Sequence, residues 1–345
     1  MEVRTAAEVA PAQVLIVHLL TPLVVKEYQK NFKDFCTNFY TRVSSMSVLL
    51  PIPAHLFDAT ASRLTLINPP YHMANRTLPL LRWWPASCNR TFHLAPLPVD
   101  VPKHFSNLTA RCENRAWSRD YALYSGAVFV AQFLWLPVLR RFTFYVKVDT
   151  DVHFYRPMPF DIAWLMQGRE DVVIAYTQLY NSTKSTCQRG VLQAVREFRR
   201  VTTGGPGPRM SRWCEADNLD WVFFGNFVLY RTAFMTSKPV LALSRFLYYK
   251  HGGYFEARWG DQASPPAFMC HALPAAAAKS PASLDMSKDP RTLHMEGLFN
   301  RVFRHVKEHN RRFDLRQPAP SSHSIFSSEE QMERLLSPPQ SSTGE

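Results

Sequence analysis

The sequence predicts an α/β fold in which a sheet is flanked by helices, in one large domain or in two of ordinary size. Segments with the periodicity of strands and of helices alternate from residue 13 onward, which is typical of this class. The chain has 345 residues, and 46% of them are hydrophobic, so it can bury a substantial core. Its strongest strand pattern, at 142–148, is followed by two acids, and ligands in open α/β sheets bind at the carboxyl ends of strands.

The first elements form a strand-helix-strand unit, the arrangement that builds a parallel sheet. An apolar run at 13–20 predicts the first strand, and the segment 25–43 places aromatic residues at helical spacing. Short strands are predicted at 47–52 and 64–67. From 69 to 114 the chain is rich in proline, asparagine and histidine and has no sustained periodicity, so we expect a long loop there.

The remaining elements alternate in the same way. In order they are a helix from Ser118 towards Pro137, a strand at 142–148, a short helix from Asp161 to Gly168, a strand at 171–176, a loop at 202–210, a strand at 221–230 and a helix from Pro239 to Tyr249. Residues 1–12 are predicted to form a leader, and the Ser/Pro-rich residues 317–345 a disordered tail. The folded domain between them is predicted to span residues 13–316.

The charge of the chain favours ligands that carry phosphate. The formal net charge is +12 and the isoelectric point is about 9.5, which attracts phosphate groups, anionic lipid or nucleic acid. The arginines are scattered, and the sequence contains neither a basic tail nor a nucleic-acid motif. Nucleic acid is therefore not expected as a partner.

Sequons and cysteines indicate a secretory lumen. Four Asn-X-Ser/Thr sequons begin at Asn75, Asn89, Asn107 and Asn181, and six cysteines permit up to three disulfides without fixing their pairing. No two cysteines have C-x-x-C spacing, so a structural zinc site is not expected. The apolar run at 14–20 is too short to span a membrane. Either an anchor precedes this chain in the natural protein, or the protein is not luminal.

Two acids at the end of the strongest strand form the first candidate site. Asp149 and Asp151 stand one residue apart, with Thr150 between them. Such a pair can hold Mg²⁺ or Mn²⁺, and the cation can hold a diphosphate, because both ions favour oxygen ligands. The pattern suggests a transferase that uses a nucleotide sugar. Taken alone, it also fits two solvated acids in a turn.

A second candidate site lies at 252–262, where two acids, an arginine and three aromatic residues stand beside glycines. Its sequence is Gly252-Gly253-Tyr254-Phe255-Glu256-Ala257-Arg258-Trp259-Gly260-Asp261-Gln262. Between the two sites, Gly225-Asn226 interrupts the strand predicted at 221–230. A glycine in that position allows close approach of a ligand or of another backbone.

Three stretches in this order resemble the fungal-type α-1,2-mannosyltransferases of glycosyltransferase family 15. The segment 121–126 with the strand that follows it looks like the family's Tyr/Ser-Gly helix and metal-binding strand. Asn226-Phe227 is similar to its Ser-Asn-Phe segment, and 252–261 is close to its Gly-Gly-Phe-Tyr-Glu-Arg-Trp-Gly-Asp. The resemblance covers roughly Ser118 to Gln262.

This resemblance implies a GT-A fold, which is a single α/β domain with a Rossmann-like mixed sheet flanked by helices. It implies Mn²⁺ as cofactor, GDP-mannose as donor, a glycan or glycoprotein acceptor and retention at the anomeric carbon. It also implies a Golgi lumenal enzyme on an N-terminal membrane anchor. The chain departs from the family at two positions. Asp149-Thr150-Asp151 stands where the family has Glu-Pro-Gly, and Val228 stands where the family has its proposed nucleophilic glutamate. Since a valine cannot attack a sugar, front-side substitution without a protein base is favoured.

The site implied by this resemblance has the following members: Asp149 and Asp151 as metal and diphosphate ligands, His294 or alternatively His305 as a further metal ligand, Tyr121, Tyr124 and Asn226 near the donor, Asp261 at the acceptor hydroxyl, and Glu256 as a substitute carboxylate. Other interpretations remain open for several of them. The two tyrosines also fit a helix core, His294 also fits a surface position, and both Glu256 and Asp261 can pair with Arg258.

The predicted function is therefore that of a retaining, Mn²⁺-dependent mannosyltransferase. Two other classes stay open. A different GT-A enzyme that uses a UDP-sugar, such as a galactosyl or xylosyl transferase, would need the same Asp-X-Asp pair. A catalytically silent protein that binds glycan or nucleotide is suggested by the valine at position 228.

Overall fold

The computed structural model describes residues 13–20, 24–53, 81–83, 88, 90, 92–97, 111–112, 115–116, 130–181, 189–203, 212–215, 221–257, 259–273, 292–295 and 303–305. The predicted leader, the predicted tail, the strand at 64–67 and most of the helix from Ser118 lie outside these residues. Among the described helices, none is both long and apolar enough to cross a membrane.

The strands are β1 (Val14–Val17), β2 (Met46–Pro53), β3 (Leu81–Trp83), β4 (Phe92–Leu97), β5 (Arg111–Cys112), β6 (Arg115–Ala116), β7 (Phe144–Val148), β8 (Val152–Phe154), β9 (Ile174–Tyr176), β10 (Leu179–Asn181), β11 (Trp221–Phe223), β12 (Phe227–Arg231), β13 (Thr292–His294) and β14 (Phe303–His305). The α-helices are α1 (Val25–Asp34), α2 (Val191–Thr203), α3 (Thr232–Met235), α4 (Lys238–Phe246), α5 (Gly253–Glu256) and α6 (Ser264–Ala272). Shorter π and 3-10 turns connect or extend them at Phe35–Phe39, Tyr40–Arg42, Phe133–Trp135, Pro137–Arg141, Ile162–Leu165, Arg212–Cys214 and Leu247–His251.

Eight strands form one mixed sheet in the order β13-β9-β12-β7-β1-β2-β4-β3. The strand β1 pairs in parallel with both β2 and β7, while β12 lies antiparallel between β7 and β9. Every residue of β7 is buried, because β7 is in the middle of the sheet and both its faces are covered. The predicted mixed sheet and the predicted strand-helix-strand start are confirmed.

The two faces of the sheet carry two hydrophobic clusters. On one face Tyr145 and Tyr230 pack with apolar residues of α2, α4 and α6. On the other face Val146 and Val148 pack with α1 and the π turn that follows it. Successive residues of a strand point to opposite faces, so β7 contributes to both clusters in alternation.

The helix predicted at 25–43 is present as α1, the π turn and a 3-10 turn, and its predicted inward face is buried. A disulfide joins Cys36 of the π turn to Cys88, and a second disulfide joins Cys214 to Cys270 of α6. Closing loops of this length stabilises a fold by about 4 kcal/mol each in the chain-entropy model. The two bridges resolve part of the pairing that the sequence left open.

Several sequence-based predictions of secondary structure were wrong. The long loop predicted at 69–114 contains β3 and β4, and β4 pairs in parallel with β2 inside the main sheet. The single strand predicted at 221–230 is two strands separated by a turn at Gly225-Asn226. The helices α2 and α6 were not predicted. The helix α6 is buried on all sides, so it lacks the amphipathic pattern that reveals a surface helix.

Candidate functional site

The predicted acid pair lies where β7 ends. The amide of Asp149 donates a hydrogen bond to the carbonyl of Asn226 at 2.8 Å, and the amide of Val152 donates to the carbonyl of Asp149 at 3.2 Å. The buried side chain of Asn31, on α1, donates to the carbonyl of Thr150 at 2.9 Å. We call residues 149–151 the Asp149 turn. The residue before the neighbouring strand β12 and a side chain of α1 together fix its course.

The chain after the Asp149 turn is held by the same part of the molecule. Asn38, in the π turn, donates a hydrogen bond from its side-chain amide to the carbonyl of Phe154 at 2.6 Å. Its main-chain carbonyl accepts a hydrogen bond from the amide of Met158 at 2.7 Å. His153 Nδ1 lies 2.9 Å from Asp34 Oδ2 at the end of α1. The first strand-helix unit of the chain therefore supports the turn that carries both acids.

Lys147 is the residue at the centre of the site that the sequence analysis missed. Its Nζ lies 2.5 Å from Asp149 Oδ1, and it also forms an ion pair with Asp261 and donates to the carbonyl of Gly225. In the sequence it occupies the polar side of an alternating strand. The residues directly before and after it in the strand are apolar. A lysine in such a buried strand is normally paired with an opposite charge, and this is the signal that could have identified it.

Asp261 reaches Lys147 because two glycines leave room. A Cβ built at Gly225 would collide with the Asp261 carboxylate, and one built at Gly253 would collide with the Trp259 ring. The amide of Trp259 donates to the carbonyl of Gly253 at 3.0 Å, and its indole Nε1 donates to the carbonyl of Arg189 at 3.0 Å. We call residues 259–261 the Asp261 turn. The group that approaches Gly225 closely is therefore the side chain of Asp261, where the sequence predicted a ligand or another backbone.

The π turn before α5 ends at Gly252, whose φ of 72° is in the left-handed region. Glycine adopts this conformation without steric cost, so the chain can reverse there. The reversal starts α5, and the Asp261 turn follows. The Gly-Gly and Trp-Gly-Asp parts of the predicted motif thus act together to place one carboxylate.

The charges in this cluster do not cancel. Asp149, Asp151 and Asp261 carry three negative charges against the one positive charge of Lys147, which leaves a net charge of −2 when all are ionised. Burial raises the pKa of Asp149 to about 6; Lys147 lowers it, and the charges of Asp151 and Asp261 raise it. Burial lowers the pKa of Lys147, but its two carboxylate partners outweigh this effect and raise it above the usual value.

This cluster fits a divalent cation in its charge and its donor atoms. Asp149 and Asp151 supply carboxylate oxygens from one turn, and Mn²⁺ or Mg²⁺ would neutralise the surplus of two negative charges. The Asp149 side chain is 36% exposed, so one side of it is accessible to a ligand. Within the described ranges no three acid, histidine or cysteine side chains are arranged as a ligand set. Remaining ligands would come from a diphosphate, from water or from residues elsewhere in the chain.

The two histidines proposed as further ligands occupy different places. His294 is buried in β13, stacks on Tyr176 and donates from Nε2 to the carbonyl of Thr177 at 3.2 Å. In the register of the sheet it stands three strands from Lys147, which is about 14 Å between backbones. His305 of β14 pairs with Val152, directly after Asp151. The backbone therefore places His305 closer to the acid pair.

The other predicted site residues fall into three groups. Asn226 is buried; its Oδ1 accepts from Thr177 Oγ1 at 3.2 Å, and its main chain supports Asp149. Glu256 ends α5, but its side chain is outside the described part of the structure. Tyr121 and Tyr124, predicted near the donor, also lie outside it, as does Arg258, the alternative ion-pair partner of Glu256 and Asp261.

Three solved structures with this fold come from a core-mannan synthase and a mannosyltransferase. Core-mannan synthase A (CmsA/Ktr4) from Aspergillus fumigatus, in a Mn/GDP form, is 13% identical and has a TM-score of 0.54 over 88% of this chain and 77% of its own. Ktr4p of S. cerevisiae is 12% identical with a TM-score of 0.58 over 88% of this chain and 73% of its own. The structure of Ktr4p in complex with GDP is 11% identical and has a TM-score of 0.52 over 75% of this chain and 66% of its own.

No protein-family model matches the sequence, and no curated protein matches it. The structural similarity establishes the fold: the chain is a single α/β domain of the GT-A type, as the sequence predicted. At 11–13% identity it establishes nothing about substrate.

Proposed function

We propose that this protein is a retaining glycosyltransferase that transfers mannose from GDP-mannose to a glycan or glycoprotein and depends on Mn²⁺. The observation that carries the proposal is the cluster of Asp149, Asp261 and Lys147 at the end of β7. It lies at the carboxyl end of a central strand, the usual ligand site of an open α/β sheet. The mannosyltransferase structures with this fold support mannose as the transferred sugar.

Asp149 and Asp151 would hold the metal and, with it, the diphosphate of the donor. The bound ion would supply Lewis-acid neutralisation of the leaving diphosphate, worth several kcal/mol. The protein contributes the fixed geometry of the Asp149 turn, which Asn31 and the Asn226 carbonyl maintain. Asn226, Tyr121 and Tyr124 are proposed to lie near the donor. A further ligand is proposed at His305, which the register favours, with His294 as the second candidate.

Asp261 is proposed to bind and orient the acceptor hydroxyl. Val228 is fully buried, pairs in register with Lys147 and carries no nucleophile. The substitution is therefore proposed to take place on one face of the sugar. The acceptor oxygen forms the new bond to the anomeric carbon, the bond to the diphosphate oxygen breaks, and the acceptor proton passes to the leaving phosphate.

Glu256 is retained as the candidate for a substitute carboxylate, because α5 places its backbone in the segment that leads to the Asp261 turn. If substitution takes place on one face of the sugar, no covalent glycosyl-enzyme forms on Glu256. Mass spectrometry of the protein after incubation with donor in the absence of acceptor tests this. A mannose adduct on Glu256, absent from Glu256→Gln, would replace the one-face mechanism by a covalent one.

The proposed location is the Golgi lumen, with an anchor outside the described residues. Four sequons and two disulfides support an oxidising lumen, because disulfides persist there and glycosylation of sequons occurs there. Expression in a secretory host followed by glycosidase treatment tests this proposal. A mass shift on treatment is expected, and an unmodified chain would contradict it.

A donor screen tests the function itself. Purified protein with Mn²⁺ is assayed for sugar transfer and donor hydrolysis with GDP-mannose, UDP-galactose and UDP-xylose. We expect turnover with GDP-mannose that is lost on removal of divalent metal and in Asp149→Ala. Asp171→Ala should behave as wild type, because Asp171 is exposed and precedes β9, at the opposite end of the strands from the Asp149 turn. Turnover with UDP-sugars alone would replace mannose as the transferred sugar. No turnover with any donor would indicate a silent binding protein.

A further inference from the structure

We propose that Lys147 is a positioning residue that couples the donor side of the site to its acceptor side. The inference rests on the proposed function, because that function assigns Asp149 to the donor and Asp261 to the acceptor. One ammonium group contacts both carboxylates, which come from distant segments of the chain. It therefore sets how far apart they lie.

The surroundings of Lys147 show that packing alone does not call for a lysine. Its side chain is 8% exposed, and its partners in register are Val17 on β1 and Val228 on β12, both fully buried and apolar. An apolar residue would continue this layer of the core. A buried ammonium is costly unless it is paired, so the lysine is retained for the groups it contacts.

Three contacts of Lys147 within the described residues come from separate parts of the chain. They are Asp149 directly after β7, the Gly225 carbonyl in the turn between β11 and β12, and Asp261 in the turn after α5. An ammonium group has three N–H donors, so it can serve three oxygens at once. An arginine at this position would keep the charge, but its planar guanidinium could not reproduce the same three directions.

The Asp261 turn depends on Lys147 more than the Asp149 turn does. Main-chain bonds from Asn226 and the side chain of Asn31 hold the Asp149 turn independently of the lysine. The main chain of the Asp261 turn is also bonded, from Trp259 to Gly253, but among the described residues it is the ion pair with Lys147 that holds the Asp261 carboxylate against Gly225. Without the ammonium the two carboxylates would repel each other, and the Asp261 turn would be the one to move.

The consequence for the reaction is a specific defect. Loss of Lys147 leaves donor activation by Asp149 and Asp151 largely in place but misplaces the carboxylate that orients the acceptor. Water needs no orientation by Asp261, so hydrolysis of the donor continues while transfer to the acceptor fails. A lysine that only supports the fold would affect both reactions equally.

The test compares Lys147→Met with Lys250→Met, which removes an exposed lysine from the π turn before α5. In the first variant we expect transfer to fall about 100-fold, the size of effect that a shift of about 1 Å produces, and donor hydrolysis to stay within about threefold. Lys147→Arg should recover less than about a tenth of the lost transfer. Equal loss of transfer and hydrolysis, or no change in their ratio, would overturn the proposal.

A second measurement needs no turnover. Hydrogen exchange followed by mass spectrometry should show the amides of 259–262 exchanging at least about tenfold faster in Lys147→Met, with β1 unchanged. Unchanged exchange at 259–262 would overturn the coupling even in an active enzyme. If wild type transfers no sugar, the proposed function fails, but this result still decides whether Lys147 holds the Asp261 turn.

Lys147→Met leaves two partly buried carboxylates without their partner, so it can fail to fold. The double variant Lys147→Met with Asp261→Asn removes both members of the pair, which is close to neutral for folding when shape is retained. It should give folded protein whose transfer is no lower than in Asp261→Asn alone, because Lys147 acts through Asp261. A loss of transfer that multiplies the effects of the two single variants would overturn the proposal.

Discussion

The two turns that supply the carboxylates of the site are built in different ways. The Asp149 turn is one residue from a fully buried strand and is fixed by hydrogen bonds to its main chain. The Asp261 turn has main-chain bonds as well, but its carboxylate is placed by a tryptophan ring packed on a glycine and by an ion pair with Lys147. Both turns depend on distant segments of the chain; the first is held through its main chain, and the carboxylate of the second is held by the ion pair. Four predictions test this difference.

The largest expected effect is on catalysis through the Asp149 turn. Asp149→Ala should reduce both transfer and donor hydrolysis by about 1000-fold, because about 4 kcal/mol of transition-state stabilisation by the metal is lost. Asp261→Asn should reduce transfer by about 100-fold and leave hydrolysis nearly intact. Steady-state rates for both reactions check this. If the two variants lose hydrolysis to the same extent, the assignment of one turn to the donor and one to the acceptor is wrong.

The next effect tests packing at the Asp261 turn. Gly253→Ala forces a methyl group into the Trp259 ring and should reduce the free energy of unfolding by about 3 kcal/mol, the upper range for overpacking. Gly168→Ala is the control, since Gly168 has a φ of 75° but no atom near its missing Cβ. It should cost about 1 kcal/mol through backbone strain alone. Urea denaturation of both variants gives the comparison, and equal losses would contradict the packing argument.

A smaller effect tests the main-chain support of the Asp149 turn. Asn31→Ala leaves the buried carbonyl of Thr150 without its side-chain donor and should cost about 2 kcal/mol of unfolding free energy. Thr41→Ala, which removes an exposed hydroxyl that bonds within its own helical turn, should stay within about 0.5 kcal/mol. Thermal and urea unfolding provide the values. A loss at Asn31 no larger than at Thr41 would show that the turn does not need this bond.

The smallest expected effect is a pH dependence beneath the Asp149 turn. His18 is fully buried at the end of β1 and its Nε2 lies 2.7 Å from the Tyr40 hydroxyl. Burial lowers its pKa to about 3, against a small opposing effect of the Val148 backbone. Between pH 6.5 and about 3 the unfolded chain therefore binds a proton that the folded chain does not. The contribution of His18 to the free energy of unfolding is therefore complete above pH 6.5 and is lost as the pH falls towards about 3.

This dependence is measured against His18→Gln. Wild type should lose about 1 kcal/mol more unfolding free energy than the variant for each pH unit between 6 and 4. Denaturation series at several pH values give the two slopes. Parallel slopes would mean that folding does not lower the pKa of His18.

The local part of the fold was accessible from the sequence. The alternation in 142–148 predicted a buried strand, and the aromatic spacing in 25–43 predicted the helix that packs beneath it; both are present. The strands β3 and β4 were not predicted, because Pro96 and the polar residues around them interrupt the strand pattern. In the structure β4 pairs with β2, and β3 pairs with β4. Short strands of this kind gain their stability from neighbours and not from their own composition.

The candidate site divides in the same way. The sequence identified Asp149, Asp151 and Asp261 as residues of interest, but their roles remain predictions. It gave Lys147 no role, because one-dimensional alternation cannot show that the partner of a buried lysine lies in a turn more than a hundred residues later. His294 and His305 were distinguishable only through strand register.

The amino-acid sequence by itself determined the α/β class, the position of the acids at the end of a buried strand, and the glycines around Trp259. Periodicity, turn chemistry and the absence of a side chain at glycine are local properties, and a reader of the chain can see them. Only the tertiary structure decided that Lys147 joins Asp149 to Asp261. That contact depends on three segments meeting at one point, and their meeting is set by the packing of the whole sheet and its helices.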